Sequence, residues 1–339
     1  MNDSHIPQPA EMPKVLKESK NKIRVEFERT PLWQRIKAKF FSTFFLQKVV
    51  WYVFRLILLI GISYIILFPF FAKITGSFMY YEDFADVTVR LIPKNWTLDT
   101  YKAIILENNY LEACVNTALL SLICALLQTL IACLVGYGLA KFHFKGSSIL
   151  MLFVVLTMIV PHRTIKLALY ELFEDFYFFG NVLETDVPLT LLSLTGLAFK
   201  NGLFIFMMRQ FFTGVPDELE ESAYVDGSGV YRTFIQIILP LSIPMMITIF
   251  VLSFSWQWTD NFYTTLFNDI TFGERILMPK IISVPQSFAS LKATFPAYSM
   301  FESAVINTTH ILIMLPLVII YLFCQKYLIQ GIERSGIVG

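Results

Sequence analysis

Apolar residues in this chain gather into long uninterrupted runs rather than into stripes or alternations. Six runs are long enough to read as membrane-spanning helices: approximately Trp51–Ala72, Val115–Ala140, Ser148–Thr164, Val187–Phe211, Gln236–Trp256 and Ala304–Phe323. A helix needs about 20 apolar residues to cross a hydrocarbon core. Pro161, His162 and Arg163 cut the third run short. Backbone polar groups cannot stay unpaired in lipid, so a spanning segment is a helix or part of a closed barrel, and barrel strands alternate. These runs do not alternate. The pattern predicts an all-α, polytopic bundle of six transmembrane helices.

The residues ahead of the first run divide in two. Residues 1–30 are rich in Pro, Lys, Glu and Ser without apolar periodicity, and are expected to be a disordered cytoplasmic tail. In residues 31–48, Leu32, Trp33, Ile36, Phe40 and Phe44 recur at helical spacing opposite Arg35, Lys37 and Lys39. That pattern predicts an amphipathic helix on an anionic leaflet, making membrane lipid a partner. Basic residues from Lys14 to Lys48 hold this side in the cytoplasm. An even number of crossings then returns the C-terminus to the same side. The first outer loop holds Glu82, Asp83, Asp86 and Asp99, and the turn Lys141–Gly146 falls inside. Because the first apolar run follows about fifty mostly polar residues, no cleavable signal peptide is expected.

Composition agrees with this topology. Hydrophobic residues are 55% and charged residues 16%, against roughly 25% charged in soluble proteins. A net charge of +1 suggests no nucleic-acid partner. Cys114, Cys124, Cys133 and Cys324 show no paired metal-ligand spacing and read as small apolar fillers.

The connection between the fourth and fifth runs, residues 213–240, is longer than the other cytoplasmic turns. Pro216 suits the first turn of a helix, where its missing N–H costs nothing. Asp217 and Glu218 follow, where carboxylates complement the helix dipole. Gly227 is placed to end the helix in a left-handed cap. The expected helix is about eleven residues, or ~16 Å. A second helical stretch, with Val230, Phe234, Ile237 and Ile238 on one face, leads through Pro240 into the fifth run.

Within this connection, Glu221–Ser222–Ala223–Tyr224–Val225–Asp226–Gly227, eleven residues before Ile238, resembles the Glu-Ala-Ala loop of permeases in binding-protein-dependent ABC importers. Ser222 stands where that motif has its middle alanine. Asn116–Thr117, Gly136–Tyr137–Gly138–Leu139–Ala140–Lys141–Phe142, Arg209–Gln210–Phe211–Phe212 and the ending Gln325–Lys326–Tyr327–Leu328–Ile329–Gln330–Gly331 are similar to the maltose-type sugar permeases. The resemblance covers roughly residues 51–339 and implies the type I ABC importer permease fold. It implies a coupling helix carrying Glu221, Ser222, Ala223, Asp226 and Gly227, seated in a groove of an ATPase subunit. It further implies a second homologous permease subunit, two ATPase subunits and an extracytoplasmic solute-binding protein. No Gly-x-x-x-x-Gly-Lys-Ser/Thr phosphate loop occurs. The chain is therefore expected to be a permease without its own ATPase site or cofactor, with ATP and Mg bound by the partner ATPase.

Polar residues within apolar runs are costly in lipid and point to a solute pathway. Lys200 and Asn201 interrupt the fourth run, with a pathway role weighed against an ion pair or a snorkelling side chain. Trp256, Trp258, Asp260 and Asn261 at the outer end of the fifth could face a sugar, or the tryptophans could be interfacial anchors. Asn307, beside Thr308, Thr309 and His310, could serve the solute or bond a neighbouring helix. The expected function is inward translocation of a carbohydrate, notably an oligosaccharide, by alternating access. The alternatives are another small solute such as glycerol phosphate, an intramembrane enzyme, for which no paired catalytic groups are seen, and a non-transporting scaffold.

Overall fold

Long apolar runs satisfy their backbone internally as helices, and the computed structural model describes them over residue 33 and residues 43–177, 180–267 and 276–336. The tail predicted for 1–30 and the interfacial helix predicted for 31–48 lie outside the described residues, apart from Trp33 and the stretch 43–48. Two units divide at Phe71. The first contains most of α1, Thr43–Gly76, a 34-residue helix whose apolar residues run all round it, as lipid requires.

The second unit is built around α3, Tyr110–Lys141, which follows the short α2, Asp99–Glu107. Against α3 pack α6, Val187–Thr195, α7, Asn201–Thr213, and α9, Val230–Trp258. Helix α4, Ser147–Ile159, lies on α7, and α11, Tyr298–Gly336, lies on α9. Lipid offers no hydrophobic drive for these contacts, so close packing must hold them, and small residues permit it. At Gly136 of α3 an added Cβ would come within 2.6 Å of Met208 Cβ and 2.9 Å of Arg209 N on α7. At Gly202 of α7 it would collide with Thr157 and approach Val154 O of α4 to 2.8 Å.

Among the described residues four helices are long and apolar enough to span, and a fifth arises if one bent pair counts as a single span. Two predicted spans are therefore not continuous helices. The third stops at Ile159, because Pro161 drives Val160 into extended backbone (φ −64°, ψ 121°). The chain then turns by 94° through residues 162–165 into α5, Lys166–Glu174. The fourth, expected over Val187–Phe211, is broken between α6 and α7. Gly196 ends α6 at φ +77°, and Lys200 opens α7 at φ +64°.

The connection between the fourth and fifth runs also differs in detail. Its helix, α8, is Glu218–Val225, eight residues rather than eleven. The second stretch is continuous with the fifth span as α9, but residues Phe234–Ile238 form a π-turn in which Leu239 N–H donates to Phe234 O. Pro240 lacks an N–H and would crowd the carbonyl four residues back, and the wider turn relieves that clash. Beyond α9 lie α10, Phe262–Phe267, and a segment with two single-turn helices leading to α11.

Candidate functional site

Two polar regions stand out, one at each end of α7. At the C-terminal end of α7, α8 is fixed at both termini. Glu220 and Glu221 N–H both donate to Asp217 O, at 3.0 Å. At the other terminus Gly227 N–H donates to Tyr224 O (3.0 Å) and Ser228 N–H to Ala223 O (2.9 Å). That pair of bonds is a Schellman cap, and Gly227 supplies its left-handed residue at φ +81°.

The faces of α8 are unlike. Ala223 and Glu220 are buried, 5% and 8% exposed. Glu221, Ser222, Asp226 and Gly227 are exposed, with Ser222 Oγ bonded back to Glu218 O. The buried face is held by the end of α3. Lys141 Nζ, itself buried, donates to Val215 O at 2.7 Å and to Asp217 Oδ1 at 2.5 Å, and lies 3.9 Å from Glu220 Oε1. Tyr137, one turn earlier on α3, and Tyr224 on α8 both reach Glu220 Oε2 at 3.5 Å. The Tyr137 ring packs on Phe212 of α7 and Phe234 of α9. Hydrogen bonding from Lys141, reinforced by its charge, holds the Asp217 carboxyl below its ordinary range. Burial, with the Glu220 charge beside it, raises the Tyr224 hydroxyl.

At the opposite end of α7 lies a cavity of about 530 Å³ bordered by α4, α6 and α7. Its walls are mainly apolar, with Thr157, His162, Lys200, Asn201 and Tyr263 as polar exceptions. Asn201 is wholly buried, and neither amide atom has a hydrogen-bond partner among the described residues. Lys200 Nζ sits 5.1 Å from the Phe199 ring centre and 5.9 Å from that of Trp256. Trp256 in turn stacks on Phe204 at 5.5 Å.

The structure does not bring the other residues considered for the pathway to this cavity. Trp258 is 2% exposed and donates its indole N–H to Ile313 O of α11 at 2.9 Å. It is a core side chain. Asp260 caps α10, accepting from Phe262, Tyr263 and Thr264 N–H groups and from the Thr264 hydroxyl. Asn261 is exposed beside it. Asn307 borders a separate cavity of about 590 Å³, with Lys73, Asp83 and Arg90.

Residues 128–334 match the family described as binding-protein-dependent transport system inner membrane component. The chain belongs to that family. Its relatives include the arabinooligosaccharides transport system permease protein AraQ of Bacillus subtilis, 27% identical over 82% of this chain and 92% of that protein. The galactooligosaccharides permease GanQ of the same organism is 25% identical over 85% and 95%, and a probable ABC transporter permease of Pyrococcus horikoshii is 26% identical over 80% and 92%. The fold is shared with the crystal structure of a bacterial ABC transporter involved in the import of the acidic polysaccharide alginate. That likeness has a TM-score of 0.68 at 20% identity, over 83% of this chain and 97% of that one.

Within this permease family member, three residues with no role readable from the sequence alone organise the region around α8: Tyr137, Lys141 and Glu220. The spacing of Tyr137 and Lys141 one turn apart at the end of a span was the available signal. Nothing local to Glu220 distinguishes it from Glu221, its exposed neighbour.

Proposed function

We propose that this inner-membrane component translocates a carbohydrate, an oligosaccharide in particular, inward in an ATP-driven importer. In this reading both termini are cytoplasmic. The assembly contains a second homologous permease, two ATPase subunits that bind ATP and Mg, and an extracytoplasmic solute-binding protein. The named oligosaccharide substrates of the relatives support the cargo class.

One observation carries the coupling role: α8 presents Glu221, Ser222 and Asp226 outward while its other face is clamped to α3. Its exit leads through the π-turn into α9. A push on the exposed face therefore moves α3 and α9 together rather than bending a loop. ATP-driven closure of the ATPase pair would favour one orientation of the bundle, and transport follows because the cargo meets the two orientations with different affinity. Phe204, Met208 and Phe212 pack α7 into the same core, so it follows.

The test is co-purification of the ATPase with the full chain, followed by ATP-dependent uptake in proteoliposomes. Glu221→Lys, on the exposed face, is expected to insert normally and lose ATP-driven uptake by at least about tenfold. Undiminished uptake would refute the coupling role.

A further inference from the structure

The break between α6 and α7 falls inside the fourth apolar run. Helix α7 has 13 residues, which puts Lys200 about 20 Å from its cytoplasmic end. An ammonium there is costly unless something answers its charge. Among the described residues no carboxylate oxygen lies within ion-pair distance of Lys200, and its neighbours are the rings of Phe199 and Trp256. Immediately beside it Asn201 is fully buried with donor and acceptor both unused, on the wall of the 530 Å³ cavity. The same point is the N-terminus of α7, whose partial positive charge also favours an anion. The other polar groups on the wall are already engaged: His162 Nδ1 lies 3.2 Å from the Tyr263 hydroxyl, and the Thr157 hydroxyl donates to Val154 O at 2.7 Å.

A fully buried amide without partners, beside an exposed cation with no ion-pair partner among the described residues, marks a place where one ligand would complete both. We infer that this break reads a carboxylate, and that the cargo is an acidic saccharide of the uronate class. The Lys200 ammonium and the Asn201 Nδ2 amide bind the carboxylate, while Asn201 Oδ1 accepts from a neighbouring sugar hydroxyl. The apolar walls, Leu192 and Leu197 among them, face the C–H surface of the ring. A neutral sugar would use Asn201 and leave Lys200 unanswered. The inference rests on reading the chain as a carbohydrate permease.

The experiment is ATP-driven uptake by the complete transporter with its binding protein. The probes are oligogalacturonate and oligomannuronate, with neutral galacto- and manno-oligomers of equal length. The wild type is expected to import an acidic probe. Lys200→Met should cut that uptake by about tenfold or more, the loss of a charge-assisted contact, while Lys200→Arg retains most of it. Assembly is judged by the co-purified ATPase. Should Lys200→Met fail to assemble, Asn201→Asp, which keeps size and sets a negative charge against the carboxylate, is expected to show the same loss. Import of neutral probes without acidic ones overturns the inference and leaves the carbohydrate reading standing. Equal acidic uptake by the wild type and Lys200→Met also overturns it. Import of no saccharide at all fails the carbohydrate reading itself, and the inference with it.

Discussion

The two ends of α7 are built in opposite ways. At the end next to α8 most polar groups are matched: Lys141 reaches three oxygens, Glu220 Oε2 has two tyrosines while its Oε1 faces the Lys141 ammonium at 3.9 Å without a hydrogen bond, and the end of α8 is closed by two backbone bonds. At the other end Lys200 and Asn201 stand without matching partners among the described residues. Matched networks rigidify, and unmatched ones are costly until something completes them. The first arrangement suits a part that transmits force, and the second suits a part that meets a passing solute. Helix α7 joins them as one rigid rod of about 20 Å.

The contrast can be broken from the rigid side first. Gly227→Pro cannot adopt φ +81° and loses the N–H that bonds Tyr224 O. It should unseat the end of α8 and abolish ATP-driven uptake while membrane insertion, followed by fractionation, is unchanged. Uptake near the wild-type rate would show that the cap is dispensable. Next in size is Lys141→Met, which leaves Glu220 buried without its cation. Breaking a buried pair from one side costs about 3 kcal/mol, read as a lower unfolding midpoint in detergent. Adding Glu220→Gln should recover part of that loss, and a strictly additive double variant would contradict the pairing.

A smaller effect tests the interior between the two regions. Trp258→Phe removes the donor to Ile313 O and should cost about 1 kcal/mol. Uptake should survive, since the side chain is placed in the core; selective loss of uptake at full stability would return Trp258 to the pathway. The smallest effect is in pH. Lys141 depresses the Asp217 carboxyl in the folded state, so its contribution is fully present above the unfolded-state pKa, near about 3.9. It is lost only as pH falls through the lower folded value. Replacing Asp217 with Asn should therefore leave stability unchanged in slope from pH 7 to 5 and flatten the acid limb. A flattening near pH 6 instead would contradict this assignment.

The legible parts of the molecule were those decided by neighbouring residues. The cap at Gly227 follows from a glycine eleven positions after Pro216, and the stop after Ile159 follows from Pro161. The break at Gly196–Lys200 was hidden because the apolar run continues across it, and hydropathy does not register a change in backbone conformation. The α3–α8 clamp was hidden for a different reason: Lys141 and Glu220 meet only after α7 has folded back along α3. Trp258 and Asp260 looked like sugar-facing groups in sequence. A carbonyl on α11 and the first turn of α10 occupy them, and neither partner could be read locally.

The coupling role proposed for α8 is tested most directly through Val225, 87% exposed on that helix. A cysteine there, in a full-length chain with its native cysteines replaced, can be cross-linked in membranes holding the complete transporter. The expected product joins this chain to the nucleotide-hydrolysing subunit and forms only with reagent that reaches the cytoplasmic face. A product with the solute-binding protein, or labelling from outside the cell, would contradict the account.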